Sequence, residues 1–263
     1  MTGNEAGSGS LGRLVGRSVV ITGSGAGTGL GRSLAIGFAR SGADLTLNHL
    51  GEDQAAFDAF LQELRSLGAR VATVEGDISR EEVAAALVER ALHDHGTVDV
   101  LVNNAAISAP APTATMSLAT WQRTIDVNLS GVFLATRAAL RPMMAQRRGR
   151  IITISSQIAQ KGGREHGHYA AAKAGVIAFT KSVALEVAEH GITANCIAPG
   201  PLNTRLMEHV SEQWRRDKLH ELVIPRFGEP DEVVPTALLL ASDPAGNLYT
   251  GQTLGPNCGD VMP

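Results

Sequence analysis

The sequence predicts an α/β protein built on a doubly wound parallel sheet of about seven strands with helices on both faces. Three observations predict it. Short, almost wholly apolar runs rich in β-branched residues recur along the chain, the pattern of strands buried on both faces. Longer stretches with apolar residues three and four apart separate them, the pattern of helices packed by one face. A glycine-dense turn follows the first run directly, at the place where such sheets receive phosphate-bearing ligands.

Taken in order, the chain opens with MTGNEAGSGSLG, which has neither a basic flank nor an apolar block. It reads as a disordered lead-in over 1–12 and not as a signal peptide, leaving 13–263 as a single domain. The strand runs are Ser18–Ile21, Asp44–Leu47, Arg70–Val74, Val98–Val102, Arg150–Ile154 and Ile192–Ile197. Between the second and third, Phe57, Phe60, Leu61, Leu64 and Leu67 mark a helical face that Gly68 ends. Val83, Leu87, Val88 and Leu92 mark the next. Two long helices are expected over about 117–146 and 168–190. Leu202–Leu222 reads as an amphipathic helical segment through Leu206, Met207, Val210, Trp214 and Leu219. No linker divides the chain after residue 12, and no long period repeats.

Composition limits the function. With 263 residues, 44% hydrophobic and 19% charged, the chain can bury one sizeable core. A net charge of −3 argues against nucleic acid as the partner, since such domains carry a basic excess. Two cysteines, Cys196 and Cys258, exclude a disulfide scaffold and fit a reducing, cytoplasmic setting. The longest apolar stretch, Val233–Ala241, contains Pro235 and falls far short of the ~20 residues of a membrane span.

The turn Thr22-Gly23-Ser24-Gly25-Ala26-Gly27-Thr28-Gly29-Leu30-Gly31 lets backbone N–H groups approach a pyrophosphate at a helix N-terminus. The fold is therefore Rossmann-type. Methyltransferases that bind S-adenosylmethionine use such a loop too, and a non-catalytic dinucleotide sensor or scaffold would also carry it. After the second strand, Leu47-Asn48-His49-Leu50 lacks the acidic residue that usually holds the ribose 2′-hydroxyl of NAD(H). Asn48, Thr28 and Ser24 could instead donate to a 2′-phosphate, which favours NADP(H) and leaves NAD(H) open. Asp77, in Gly76-Asp77-Ile78, could reach the adenine or cap the next helix with Ser79.

Tyr169 and Lys173 stand at i and i+4, on one helical face. A neighbouring cation lowers a phenol's pKa from about 10 toward the range where it can exchange protons. Ser155-Ser156 ends the fifth strand and Asn103-Asn104-Ala105-Ala106 the fourth, both at the carboxyl edge where crevices form. Asn128 lies inside a long helix, a poor place for Asn unless its side chain has partners.

Together these stretches resemble the short-chain dehydrogenase/reductase family in its single-domain form, from about Gly16 to Met262. The glycine loop resembles TGxxxGxG with two extra residues after Gly23, so that either Gly27 and Gly29 or Gly29 and Gly31 fill its later positions; the helix pattern that starts at once favours the second pair. Asn103–Ala106 resembles NNAG, Tyr169–Lys173 resembles YxxxK, and Ser156 lies thirteen residues before Tyr169. Asn195–Thr204, with Pro199-Gly200, resembles NxIxPGxxxT. Arg226–Pro230 and Thr250–Gln252 resemble the family's C-terminal segment.

The resemblance implies an NAD(P)-dependent oxidoreductase interconverting a ketone and a secondary alcohol, most similar to reductases of 3-oxoacyl thioesters. It implies Tyr169 as general acid/base and Lys173 as the residue that lowers its pKa and holds the nicotinamide ribose. Ser156 would bind the substrate oxygen, and Asn128 would anchor a proton relay. For the cofactor it implies Gly23, Thr28, Gly29, Leu30, Gly31, Asn48, His49, Asp77, Ile78, Asn104, Ala105, Ala106, Pro199, Gly200, Leu202 and Thr204. Gln157, His166, His168 and Met207 are the candidate substrate contacts, with a solvated loop as the alternative for the histidines. No metal is expected, because His166 and His168 have no third ligand nearby in the sequence. A homotetramer through the two long helices is implied, with Ala170, Ala171, Ala172, Ala174 and Gly175 permitting close approach. Arg147, Arg148 and Arg150 form a basic cluster that reads as a solvated face or as a surface for an acidic carrier protein.

Overall fold

The computed structural model describes residues 13–262 apart from 52, 205, 206, 208 and 209, so the lead-in expected over 1–12 lies outside the described residues. Seven strands form one parallel sheet. They are β1 (Ser18–Ile21), β2 (Asp44–His49), β3 (Val71–Glu75), β4 (Val100–Asn103), β5 (Gly149–Ile154), β6 (Ile192–Ile197) and β7 (Thr253–Leu254), in the order β3-β2-β1-β4-β5-β6-β7. The chain winds outward from β1 in one direction and then from β4 in the other. The reversal between β1 and β4, where Val19 pairs with Val100, opens a crevice beyond the carboxyl ends of the strands.

Both faces of the sheet are buried because the strands carry apolar residues at odd and even positions alike. Val19, Ile21, Val100, Val102 and Ile152 join one core with α1 (Leu30–Arg40), α2 (Gln54–Ser66) and α9 (Val234–Ala241). Val20, Leu101 and Ile151 join the other with α3 (Glu81–His95), α5 (Gly131–Gln146) and α7 (Gly167–Val187). The Asp53 carboxylate caps α2 by accepting from Ala56 N at 2.9 Å. Gly96, in the left-handed region at φ 77°, ends α3.

Three elements differ from the sequence expectation. The long helix of 117–146 is α4 (Leu118–Ile125), a π turn over Asp126–Ser130, and α5. The second long helix stops at Val187 and tightens into a 3₁₀ turn at Ala188–His190. The helical segment of 202–222 is shorter: Leu202 bridges to Gly228 as extended chain, and α8 spans only Glu212–Glu221, capped by Ser211. A short α6 (Ile158–Lys161) follows β5.

Arg147, Arg148 and Arg150 lie at the amino ends of the strands. With Arg13, Arg17 and Asp99 they line a cavity of about 540 Å³. Arg17 and Arg148 are tied to buried Asp99 at 3.2 and 2.8 Å. This cluster sits a strand's length, roughly 20 Å, from the carboxyl-end crevice.

Candidate active site

The crevice begins at the glycine loop. The Thr22 hydroxyl accepts from the backbone N–H of Asn104 (3.0 Å) and Ala105 (3.1 Å). The Asn104 amide donates to the carbonyls of Thr22 (3.1 Å) and Gly23 (2.9 Å). The β1 and β4 ends are thereby laced together. Gly23 has φ 64°, and a Cβ there would stand 2.6 Å from Ala105 Cα; only glycine fits. A Cβ on Gly31 would stand 2.3 Å from the Gly23 carbonyl, whereas Cβ atoms on Gly27 and Gly29 would meet nothing within 4 Å. Gly29 is the N-cap of α1 and Gly31 packs inside its first turn. No side chain caps α1, and its first turn holds no carboxylate. Open N–H groups, a positive helix end and an unfilled glycine cradle fit a phosphate, so the residues present suit a dinucleotide. Ala106 is exposed at the lip.

The donors expected for a 2′-phosphate are mostly engaged. Asn48 spends its side chain on the backbone: Oδ1 accepts from Gly23 N at 3.3 Å, and Nδ2 donates to Val74 O (3.3 Å) and Gly76 O (2.9 Å). It braces the glycine loop against β3. The Ser24 hydroxyl donates to Gly31 O at 2.9 Å. Thr28 is exposed. His49 stacks on Phe57, ring centroids 4.0 Å apart, and its Nδ1 accepts from Gly51 N at 3.3 Å. Glu75, which the sequence reading missed, pairs in register with His49. Its carboxylate comes within 2.9 Å of where a Gly51 Cβ would stand, beside the turn that follows β2.

Asp77 is not the helix cap, since α3 starts behind Arg80. Its carboxylate closes a local turn, accepting from Ser79 N (2.9 Å) and Ser79 Oγ (2.7 Å), and pairs with Arg123 at 2.6 Å. Partial burial raises its pKa, but Ser79 and Arg123 outweigh that and hold it below the ordinary carboxylate range. The Ile78 side chain is buried against Gly131, where its carbonyl oxygen lies too.

At the centre, Tyr169, Lys173 and Ser156 come together. Ser156 follows β5, while Tyr169 and Lys173 share the first turns of α7. Lys173 is 1% exposed, its Nζ donating to Ile154 O at 2.7 Å and standing 5.7 Å from the Tyr169 ring centre. The Ser155 hydroxyl donates to Lys173 O at 2.8 Å, pinning α7 to the β5 end. Here the structure corrects the expected acidity. Burial drives the Tyr169 phenol up to about 12, against a smaller downward pull from Ser156. Burial likewise drives the Lys173 ammonium down to about 8. Desolvation is the dominant cause of both shifts, against a smaller pull from Ser156 on the phenol and from Cys196 on the ammonium.

The Ser156 hydroxyl donates to Gln157 Oε1 at 3.0 Å and accepts from Ile158 N at 3.3 Å. Asn128 is fully buried in the π turn, with Oδ1 accepting from Ile107 N and Nδ2 donating to Ile107 O, both at 2.8 Å. It fixes the loop after β4. His168 is fully buried, with Nε2 3.0 Å from Ala109 O, so it braces that same loop and does not belong to a solvated one. His166 is half-buried, its ring 6.2 Å from that of Tyr169.

Pro199 O accepts from Gln157 N at 3.1 Å, and a Gly200 Cβ would stand 2.8 Å from Asn257 Cα. Leu202, Thr204 and Met207 continue along this wall half-buried, with Thr204 O accepting from Met207 N at 2.8 Å. Cys196 is buried and burial lifts its thiol to about 11, which leaves it inert.

Known proteins share this arrangement. Residues 17–215 match the short chain dehydrogenase family. The chain is 38% identical over 238 residues to a 3-oxoacyl-[acyl-carrier-protein] reductase of Synechocystis, covering 90% of this chain and 95% of that one. It is 34% identical over 246 residues to the 3-oxoacyl-[acyl-carrier-protein] reductase FabG of Staphylococcus aureus, covering 94% and 98%. It is 35% identical over 238 residues to a Thauera aromatica protein named (2S)-[(R)-hydroxy(phenyl)methyl]succinyl-CoA dehydrogenase subunit BbsD, covering 90% and 94%. A solved structure described as a short-chain alcohol dehydrogenase of Sinorhizobium meliloti superposes with a TM-score of 0.88 at 28% identity, over 95% of this chain and 98% of that one. With its seven-stranded sheet and its Ser156, Tyr169 and Lys173 at one crevice, the chain belongs to the short-chain dehydrogenase family, the NAD(P)-dependent oxidoreductases of the CH–OH/C=O couple.

Proposed function

We propose that this protein uses NADPH to reduce the ketone of a 3-oxoacyl thioester, acting as a single dinucleotide-binding domain assembled into a cytoplasmic homotetramer. The observation that carries the reading is the buried phenol of Tyr169 beside Lys173 and Ser156. Gly23, Gly29 and Gly31 would hold the pyrophosphate of a dinucleotide whose nicotinamide would supply the hydride. Tyr169, whose pKa of about 12 keeps it protonated at neutral pH, gives its proton to the carbonyl oxygen. Ser156 turns its O–H from Gln157 toward that oxygen and holds it. Lys173, fixed by Ile154 O, would hold the ribose and set the local charge. Asn128 holds the Ile107 loop and so shapes the path by which Tyr169 regains its proton. Pro199, Gly200, Leu202, Thr204 and Met207 border the nicotinamide end, and Gln157 and His166 border the substrate.

Two relatives are named for 3-oxoacyl carrier-protein thioesters and a third for a CoA thioester. That supports the substrate class. The NADPH reading rests on the lack of a carboxylate at the end of β2 and on exposed Thr28. The carboxylate of Glu75 favours NADH as a second reading, since it would repel a 2′-phosphate. An assay of acetoacetyl-CoA with each cofactor decides between them: NADPH should support the higher kcat/KM. Tyr169→Phe should lower kcat by on the order of 10³-fold with an unchanged melting temperature. A folded Tyr169→Phe variant of undiminished rate overturns the mechanism.

A further inference from the structure

Below the substrate wall lies an ionic knot that the catalytic chemistry does not use. Asp260 Oδ1 accepts from Lys161 Nζ at 2.6 Å and from Lys218 Nζ at 2.7 Å. Lys218 also reaches Glu221 at 2.9 Å, and Lys161 stands 3.6 Å from the same carboxylate. The Asp260 side chain is 1% exposed and that of Lys218 is 8%. Two ammonium groups therefore balance two carboxylates: Lys161 and Glu221 reach solvent, at 34% and 58% exposed, while Asp260 and Lys218 are buried, so that loss of either of those two leaves the other a buried charge with less compensation.

The knot joins three segments that adjoin the residues placed at the crevice. Lys161 ends α6, the turn that begins just after Ser156 and Gln157. Lys218 lies on α8, which follows the Pro199–Thr204 wall. Asp260 lies on the C-terminal turn, which receives Gly200 N at Pro256 O (3.2 Å) and Ile224 N at Cys258 O (3.0 Å). That turn is itself rigid: Asn257 Oδ1 accepts from Gly259 N at 3.0 Å, and Asn257 Nδ2 donates to Val261 O at 2.9 Å. Helix α8 buries little apolar surface. Lys218 is the buried residue of its ten, Leu219 is half-buried, and Trp214 and Arg215 lie 6.2 and 5.2 Å from the ring centre of Phe227. The lysine is therefore its most deeply anchored side chain.

We infer that Asp260 is a positioning residue whose buried carboxylate latches α8 and the α6 turn together, fixing the substrate wall of the crevice without touching the reacting atoms. The inference rests on the ketone-reductase reading for its activity arm alone. It accounts for a carboxylate and a lysine being buried where a leucine pair would otherwise be expected. The Asp260 carboxyl agrees: burial raises its pKa, but Lys161 and Lys218 together hold it below the ordinary range.

The test uses the full chain with Asp260→Asn, Lys218→Met, their double variant, and Lys161→Gln as the milder probe should the others fold poorly. Limited trypsin digestion, which cuts after Arg215, Arg216 and Lys218, reads the latch directly. Asp260→Asn should speed cleavage in α8 by about tenfold, and Lys161→Gln by about threefold. With acetoacetyl-CoA, Asp260→Asn should raise KM for the ketone by about tenfold while KM for NADPH and kcat stay within about twofold. The double variant should be no worse than the poorer single, the mark of one shared interaction. Unchanged cleavage in α8 overturns the latch whatever the activity. Faster cleavage with an unmoved ketone KM, or with both KM values rising together, overturns the positioning role. Failure of the wild type on acetoacetyl-CoA with either cofactor defeats the substrate reading instead, and the digestion still decides the latch.

Discussion

Tyr169 and Lys173 share one face of α7, and burial moves each toward its neutral form, to about 12 and about 8. The consequences for pH have definite signs. Below about 8 Lys173 holds a proton that burial disfavours, so it costs stability there; the cost fades as pH rises toward 10.5, where the unfolded lysine also becomes neutral. Tyr169 acts oppositely, its folded pKa being raised: stability is lost as pH climbs from 10 through about 12. For reduction, Tyr169 is protonated across the working range and the lysine is the group that titrates. The free-enzyme kcat/KM for a ketone should be level through pH 7 and fall above an apparent pKa of about 8. Lys173→Met should remove that limb together with most of the activity. A limb appearing only near 10 would show that the lysine keeps its ordinary pKa. The pairing of the two side chains was legible from spacing alone. The direction of the tyrosine shift was not, because burial is set by β5, α7 and the loop after β4 together. Asn48 teaches the same lesson. Its place at the end of β2 was readable, but its three backbone partners come from the turn after β1, from β3 and from the turn after β3.

At the scale of elements, β1 to β6 announced themselves because each is a short run dominated by apolar and β-branched residues. Strand β7 did not, since two residues, Thr253 and Leu254, carry no pattern. The π turn at Asp126–Ser130 was hidden because one extra residue hardly disturbs a helical period. Helix α8 was overdrawn because Leu202, the first residue of that apolar spacing, bridges to Gly228 as extended chain and the helix starts only at Glu212. The glycine loop separates two uses of one residue type, and substitution should split them. Gly31→Ala places a Cβ 2.3 Å from Gly23 O and 2.8 Å from Asn104 Nδ2, which must break the lacing of β1 to β4. It should cost about 1–3 kcal/mol of stability. Gly29 is extended at φ −169° with open space at its Cβ, so Gly29→Ala should leave the melting temperature unmoved. That methyl stands where a phosphate would approach the α1 N-terminus, and KM for the cofactor should rise about tenfold. Chemical denaturation alongside cofactor titration checks both. Equal loss of stability in the two variants would remove the distinction between packing and binding glycines.

Among the described residues, apolar surface is uncovered on two opposite sides of the sheet, besides scattered single side chains. On α4, α5 and α7, Leu118 is 78% exposed, Phe133 42% and Leu185 85%. Next to them Ala171 and Ala174 are exposed and small, so another backbone can come close. At the other side of the sheet, near the open edge of β7, Leu248 is 96% exposed. An unpaired strand edge and a bare leucine invite association. Two distinct self-complementary patches on one chain generate a closed tetramer of 222 symmetry, whereas one patch would stop at a dimer. Purified protein should therefore sediment at roughly 110 kDa, four chains of 27.5 kDa. Leu185→Glu puts a charge in the centre of the helical patch and leaves the β7 edge intact. It should yield a dimer of roughly 55 kDa that keeps its fold, because Leu185 is 85% exposed within its own chain. Sedimentation velocity across a hundredfold range of concentration distinguishes these states. A wild type that stays monomeric at every concentration would mean that neither patch is an interface between copies. A Leu185→Glu variant that remains tetrameric would place the second interface elsewhere than on α4, α5 and α7.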